Sequence, residues 1–218
     1  MTRIIALCLG LTLASAAHAQ DMPLYTVLLE GEGWKAAMGT RPTPQPRIEV
    51  AKLLTGDGSP LQYDLIFATG ERARITGLRE AAKPDPQRTT PLGFDEPLSA
   101  ALSPDGGTLY VGFGKQRAVM TYRLDPKGET SGRDLYCPLR IRKTDAHLAV
   151  TGVATDHIGR IFAATADGIH FFDPTGRFSG LIFLPAKGTP EHLTFEGDRL
   201  TLWINGTKYE RKVNTRGK

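Results

Sequence analysis

Glu191 and His192 stand side by side after Thr189-Pro190, a carboxylate next to an imidazole. Such a pair could serve as a base and its orienting partner, or as an exposed loop pair with no chemical role. Asp145 with His147, and Asp156 with His157, carry the side-chain types of a metal site. Asp156-His157-Ile158-Gly159, however, falls where a polar turn between two apolar runs is needed, so turn formation is the expected duty. His170 lies between Ile169 and Phe171 in an apolar run and reads as a structural histidine. Cys137, flanked by Tyr136 and followed by Leu139, reads as a small buried hydrophobe rather than a nucleophile. Asn205-Gly206-Thr207 matches a glycosylation sequon, but Asn-Gly between two strand-like runs is first a hairpin turn. The chain has no Gly-x-Ser-x-Gly elbow, no His-Glu-x-x-His and no phosphate-binding loop.

The elements that must position these residues are short strands. "LIFAT" (65–69), "TLYVGF" (108–113), "RIFAAT" (160–165) and "LTLWIN" (200–205) are β-branched or aromatic runs bounded by Gly, Asp or Asn. Taking Ile66, Leu109, Ile161 and Leu202 as equivalent points, the phrase recurs every 41 to 52 residues, the period of a four-stranded propeller blade. A strand and a turn precede three of these runs, and a second strand follows each. Two of the following strands end in Asp125-Pro126 and Asp173-Pro174 turns, where proline presets the first turn dihedral and the later glycine accepts positive φ. No long stretch has helical periodicity. The pattern predicts an all-β fold, a β-propeller with about four recognisable blades; a sandwich of evenly spaced hairpins is the alternative. The fourth unit supplies three strands, and its fourth could come from residues 24–37, so that both termini complete one blade and cover its edge. Proline-rich pieces at 40–47 and 81–91 read as connectors.

Residues 1–19 read as a secretory signal: Arg3, an apolar core from Ile4 to Leu13, and Ala17-His18-Ala19 as a small-x-small cleavage site. The apolar core is too short to span a bilayer, which needs about 20 residues. Residues 20–218 are expected to form one domain in a periplasmic or secreted protein with no membrane span after cleavage. Removal of the signal leaves Cys137 as the sole cysteine, unable to form an internal disulfide. The net charge of +4 for the full chain is spread among interspersed charges of both signs, without a basic block, so no nucleic-acid partner is expected.

The phrases "LSPDGGTLYVGFGKQRAVMTYRLDPKGETSGRDLY" and "GVATDHIGRIFAATADGIHFFDPTGRFSGLIFLP" resemble the senescence-marker-protein/gluconolactonase family, which includes regucalcin and luciferin-regenerating enzyme. The resemblance covers residues 94–213, with a weaker patch, "LLEGEGWKAA", near the N-terminus. It implies a six-bladed propeller holding one divalent cation, usually calcium, near the central channel, and the opening of sugar lactones by a metal that polarises the ester carbonyl or acidifies water. The implied ligands are Glu, Asn and Asp side chains near the starts of inner strands. Leu98 occupies the place of a ligand Asn, and Thr151 that of a carboxylate. The Glu-bearing phrase of the family is not recognisable around residues 40–50. Six blades of about 40 residues need about 240, more than this chain has.

By repeat alignment Leu98, Thr151 and Glu191 fall at equivalent inner-strand starts, followed by Ser99, Gly152 and His192. These six are the expected lining of a channel mouth, with Glu191 and His192 as the catalytic candidates and no metal ligand set. The favoured expectation is a catalytically degenerate propeller that binds a small polar molecule or a protein partner without a cofactor. The alternative is a lactone hydrolase that uses a divalent cation such as calcium.

Overall fold

The computed structural model describes residues 23–40, 43, 46–52, 62–76, 97–114, 116–140 and 148–218. The signal-like segment with Cys8, the Asp145 and His147 pair, all of the 81–91 connector and part of the 40–47 connector lie outside the described residues.

Fifteen short strands make up four antiparallel sheets among the described residues, and the one helical element there is a 3-10 turn at Leu24–Thr26. In chain order they are β1 (Lys35–Ala37), then β2 (Arg47–Lys52), β3 (Gln62–Ile66) and β4 (Arg72–Thr76) in the first sheet. The second sheet holds β5 (Pro97–Leu102), β6 (Thr108–Phe113), β7 (Ala118–Leu124) and β8 (Thr130–Pro138). The third holds β9 (Gly152–Thr155), β10 (Ile161–Thr165), β11 (Gly168–Phe172) and β12 (Phe178–Ile182), and the fourth β13 (Pro190–Glu196), β14 (Arg199–Ile204) and β15 (Thr207–Lys212). β1 completes the fourth sheet by pairing with β15, Lys35 opposite Glu210 and Ala37 opposite Lys208. Residues 35–37 and the last three strands therefore share one blade, further tied by the N–H of Asn214 donating to Val27 O at 2.7 Å.

The second and third sheets, and β13 to β15 of the fourth, are simple meanders, because these strands are joined by turns whose chemistry is local. Asp125, Asp156 and Asp173 do the same work in three of them. In each, Oδ1 accepts the backbone N–H two residues on and again four residues on, at 2.8 to 3.1 Å. A carboxylate in this position satisfies two turn donors at once, which is why Asp begins these turns. The glycine three residues later has φ between 80° and 89°, the left-handed region that disfavours a Cβ. Asn205 and Gly206 form the β14–β15 reversal with φ of 50° and 74°, as a two-residue hairpin requires.

The sheets stack through their faces in a β-propeller arrangement. One apolar cluster lies at each of three junctions: Tyr63, Leu65 and Ile75 with Leu109 and Tyr122 between the first and second sheets; Tyr110 and Val119 with Val153 and Phe172 between the second and third; Phe162 and Phe171 with Leu200 and Leu202 between the third and fourth. Strands β5, β9 and β13 are the inner edges of their sheets and neighbour one another around the axis.

The first sheet departs from the repeat. It has three described strands, and its β3–β4 hairpin (67–71) sits beside the 103–107 and 125–129 turns, with the N–H of Arg74 donating to Gly128 O at 2.8 Å. β2 therefore begins at the end of the axis where β5 finishes. Ile66 is not the counterpart of Leu109, although both stand in runs of the same apolar character. Composition marks a strand but does not fix its direction.

Candidate functional site

The strand register places the sequence-aligned residues at one level. Ser99 faces Gly112, Gly152 faces Ala164, and His192 faces Trp203. The register shifts between Pro97 and Ser99 and again between Pro190 and His192, so Leu98 and Glu191 are both extra residues at bulges. Bulges re-aim a side chain out of the ladder. Leu98 is 41% exposed as a result.

Close packing brings β5, β9 and β13 together at these starts. The Ser99 hydroxyl donates to Val150 O at 3.2 Å. A Cβ on Gly112 would lie 2.5 Å from Val150 Cγ1, and one on Gly152 would lie 2.7 Å from Leu193 Cβ. Thr151 is anchored by its backbone N–H, which donates to Ala164 O at 3.0 Å; its hydroxyl is 3.5 Å from the same oxygen, at the long limit of a hydrogen bond. Glu191 Oε1 accepts the N–H of Gly206 at 3.1 Å, in the hairpin opposite. His192 is buried and faces the axis.

A divalent cation of the calcium type needs six or more oxygen ligands, with carboxylates among them. At the three equivalent positions stand an aliphatic chain, a hydroxyl and one carboxylate that already caps a hairpin. Among the described residues no group of three or more His, Cys, Asp or Glu side chains is arranged to hold a metal ion. The residues present do not fit a hard cation.

The other chemical candidates have structural partners. Asp156 is fully buried; besides its turn contacts, Oδ2 pairs with the Arg160 guanidinium and accepts the Thr215 hydroxyl at 2.8 Å. His170 is buried between Phe172 and Phe178, with Nε2 3.2 Å from Arg140 O. Burial holds its pKa below the ordinary imidazole value. Burial pushes the Cys137 thiol far up, so the thiolate is inaccessible near neutral pH.

Residue types and spacing gave no sign of a cavity of about 390 Å³ on the axis. All four sheets contribute to it: Pro46, Phe67 to Thr69 and Glu71, Ala100 to Leu102, Val153 to Thr155, and His192 to Phe195, with Gly217 and Lys218. It lies towards the finishing ends of β5, β9 and β13, away from Leu98 and Thr151. The closing residues of the chain are carried there by the Asp156–Thr215 bond and by a bridge between Asp156 and Gly217.

Antiparallel sheets of three and four described strands set around an axial cavity define a β-propeller of the kind found in gluconolactonases. The chain belongs to the SMP-30/gluconolactonase/LRE-like family, whose model matches residues 92–207. Among solved structures it is similar to a gluconolactonase from Xanthomonas campestris (20% identity, TM-score 0.50, 71% of this chain and 45% of that one). It is similar to a calcium-binding protein, regucalcin, from Agrobacterium tumefaciens (20% identity, TM-score 0.51, 74% of this chain and 60% of that one). A luciferin-regenerating enzyme aligns at 14% identity and a TM-score of 0.51, over 73% of this chain and 54% of that one. The chain thus spans about half the length of these relatives, and at such identities the likeness is one of fold. No curated protein matches the sequence.

Proposed function

We propose that this chain is a non-hydrolytic member of its family, a binding module that takes a small molecule without a divalent cation. One observation carries the reading: Leu98 occupies the same bulge in β5 that Glu191 occupies in β13. An aliphatic group therefore stands at the position where the family resemblance implies an oxygen ligand. Glu191 and His192 remain as polar groups at this end, with Ser99, Thr151 and Gly152 completing the strand starts. Export to the periplasm or outside the cell is part of the proposal, motivated by the signal-like residues 1–19. No helix among the described residues is long and apolar enough to cross a membrane.

Thermal melting with added calcium or zinc tests the reading, since a ligand specific for the folded state must raise the midpoint. The expected result is an unmoved midpoint, together with gluconolactone hydrolysis at the uncatalysed rate in a pH-stat. The family match supports the opposite reading, a cation-dependent lactone hydrolase. Turnover that chelator abolishes would establish it.

A further inference from the structure

We infer that the axial cavity is a binding site for a compact, mostly apolar ring compound, entered from the end of the axis opposite the strand starts. This rests on the binding-module reading and names its site and ligand class. Its volume of about 390 Å³ is within the range of small-molecule pockets, roughly 300–1,000 Å³.

The wall chemistry selects the class. Ala100, Ala101, Leu102, Val153, Ala154 and Leu193 supply aliphatic surface from three sheets, and Phe67 and Phe195 supply aromatic faces. Several polar side chains on the wall are already engaged within the protein. The Thr155 hydroxyl donates to Leu102 O at 2.7 Å, the Thr69 hydroxyl donates to Glu71 Oε2 at 2.9 Å, and His192 has an interaction partner of its own. A polyhydroxylated sugar acid would bring many hydroxyls into such a site and leave most without partners, each at the cost of its lost hydration. A ring compound with one polar substituent meets no such penalty. Its substituent can be served by Thr194, by Lys218, or by a free backbone group, because β5, β9 and β13 are edge strands whose ladder is paired on one side.

Two pieces line this end of the cavity, the β3–β4 hairpin through Phe67, Ala68, Thr69 and Glu71 and the segment that carries Gly217 and Lys218. That segment is held by three hydrogen bonds: the N–H of His157 to Arg216 O at 3.1 Å, that of Gly217 to Gly197 O at 3.2 Å, and that of Lys218 to Thr155 O at 3.3 Å. Gly217 lies so close to the fourth sheet that an added Cβ would stand 2.4 Å from Phe195 Cβ. The rim is therefore fixed by the fold.

N-phenyl-1-naphthylamine, an uncharged fluorophore that brightens in apolar surroundings, is the probe. Saturable binding to the purified chain is expected, with cyclohexanol competing and gluconolactone not competing. Thr194→Phe and Ala101→Phe fill the cavity from two different strands and should each weaken the probe by about tenfold or more. Met38→Ala, at a fully exposed side chain outside the cavity, should leave binding unchanged. If the wild-type chain, shown folded by a cooperative melt, does not bind the probe, the inference fails while the non-hydrolytic reading stands. It fails equally if both filled variants, still folded, bind as the wild type does. Cation-dependent lactone turnover would overturn the underlying reading whatever the probe does.

Discussion

Replacing Asp156 by Asn should destabilise the protein more than any comparable change at the other Asp turns. The side chain is fully buried and accepts four hydrogen bonds, from the N–H groups of Ile158 and Arg160, the Arg160 guanidinium and the Thr215 hydroxyl. Asn keeps the size and can still accept at Oδ1, but it removes the negative charge and turns two N–H donors towards Arg160 or Thr215. The guanidinium is itself 5% exposed, so its positive charge stays buried without its counter-ion. Breaking one side of a buried pair costs about 3–5 kcal/mol. For a domain of this size that lowers the melting midpoint by on the order of 10 °C. Urea unfolding followed by circular dichroism gives the free energy directly. Asp125→Asn is the control, because that carboxylate caps an exposed turn and has no buried cation behind it. The double change Asp156→Asn with Arg160→Met removes both charges while keeping an acceptor for the turn N–H groups, and should recover much of the loss. A loss under about 1 kcal/mol for Asp156→Asn would refute the claim that the pair's burial sets its energetic importance.

Other changes test separate parts of the structure. Gly112→Ala should cost about 1–3 kcal/mol in unfolding experiments, since its Cβ would meet Val150 Cγ1, Ser99 Oγ and Val150 O between 2.5 and 2.7 Å; Gly107→Ala, whose nearest contacts are at 3.7 Å, should be nearly silent. Cys137 should resist a thiol-specific disulfide reagent at pH 8 until the protein unfolds, and prompt labelling of the native chain would contradict its burial. His170 should make stability pH-dependent. Its folded-state pKa is lowered from 6.5, chiefly by burial, so the unfolded chain takes up the proton first. Its contribution is complete above about pH 6.5 and declines as the pH falls below that value, and His170→Gln should flatten that part of the profile of unfolding free energy against pH.

The parts of this fold that could be read from the sequence are those set by local chemistry. Asp125 and Asp173 announced their turns because the carboxylate, the proline and the glycine act within five residues of each other. The shortage of one strand in the fourth unit pointed to residues 24–37, and Lys35–Ala37 takes that place beside β15. Leu98 and Glu191 share a bulge, each the second residue of an inner strand that opens with proline, whereas Thr151 lies just before β9. What escaped depends on contacts distant in sequence. The direction of the first sheet is set by its stacking on the second, which no run of apolar residues encodes. The Asp156–Thr215 bond joins residues 59 apart. The cavity is lined largely by alanine, valine, leucine and threonine, types that carry no signature of binding.

The fourth sheet shows how the array manages a face with no apolar junction. Leu200, Leu202 and Ile204 point into the cluster shared with the third sheet. Thr201 and Trp203 alternate with them and so lie on the opposite face, yet they are 0% and 2% exposed. Lys208, opposite Trp203 in the register, pairs with Glu196 at 2.9 Å and Glu210 at 2.8 Å, and Arg199 reaches Glu210 at 2.8 Å. The methylene stem of Lys208 also meets Gly39, where an added Cβ would be 3.1 Å from Cδ and 3.9 Å from the Trp203 ring. A long amphipathic side chain can cover apolar surface while its ammonium stays in a polar network. The first sheet has a smaller version, with Arg74 paired to Asp64 at 2.8 Å across β3 and β4. Among the described residues no apolar cluster joins the fourth sheet to the first. Charged networks on these faces are the arrangement expected of the outer faces of a repeat array, where an apolar face would invite association.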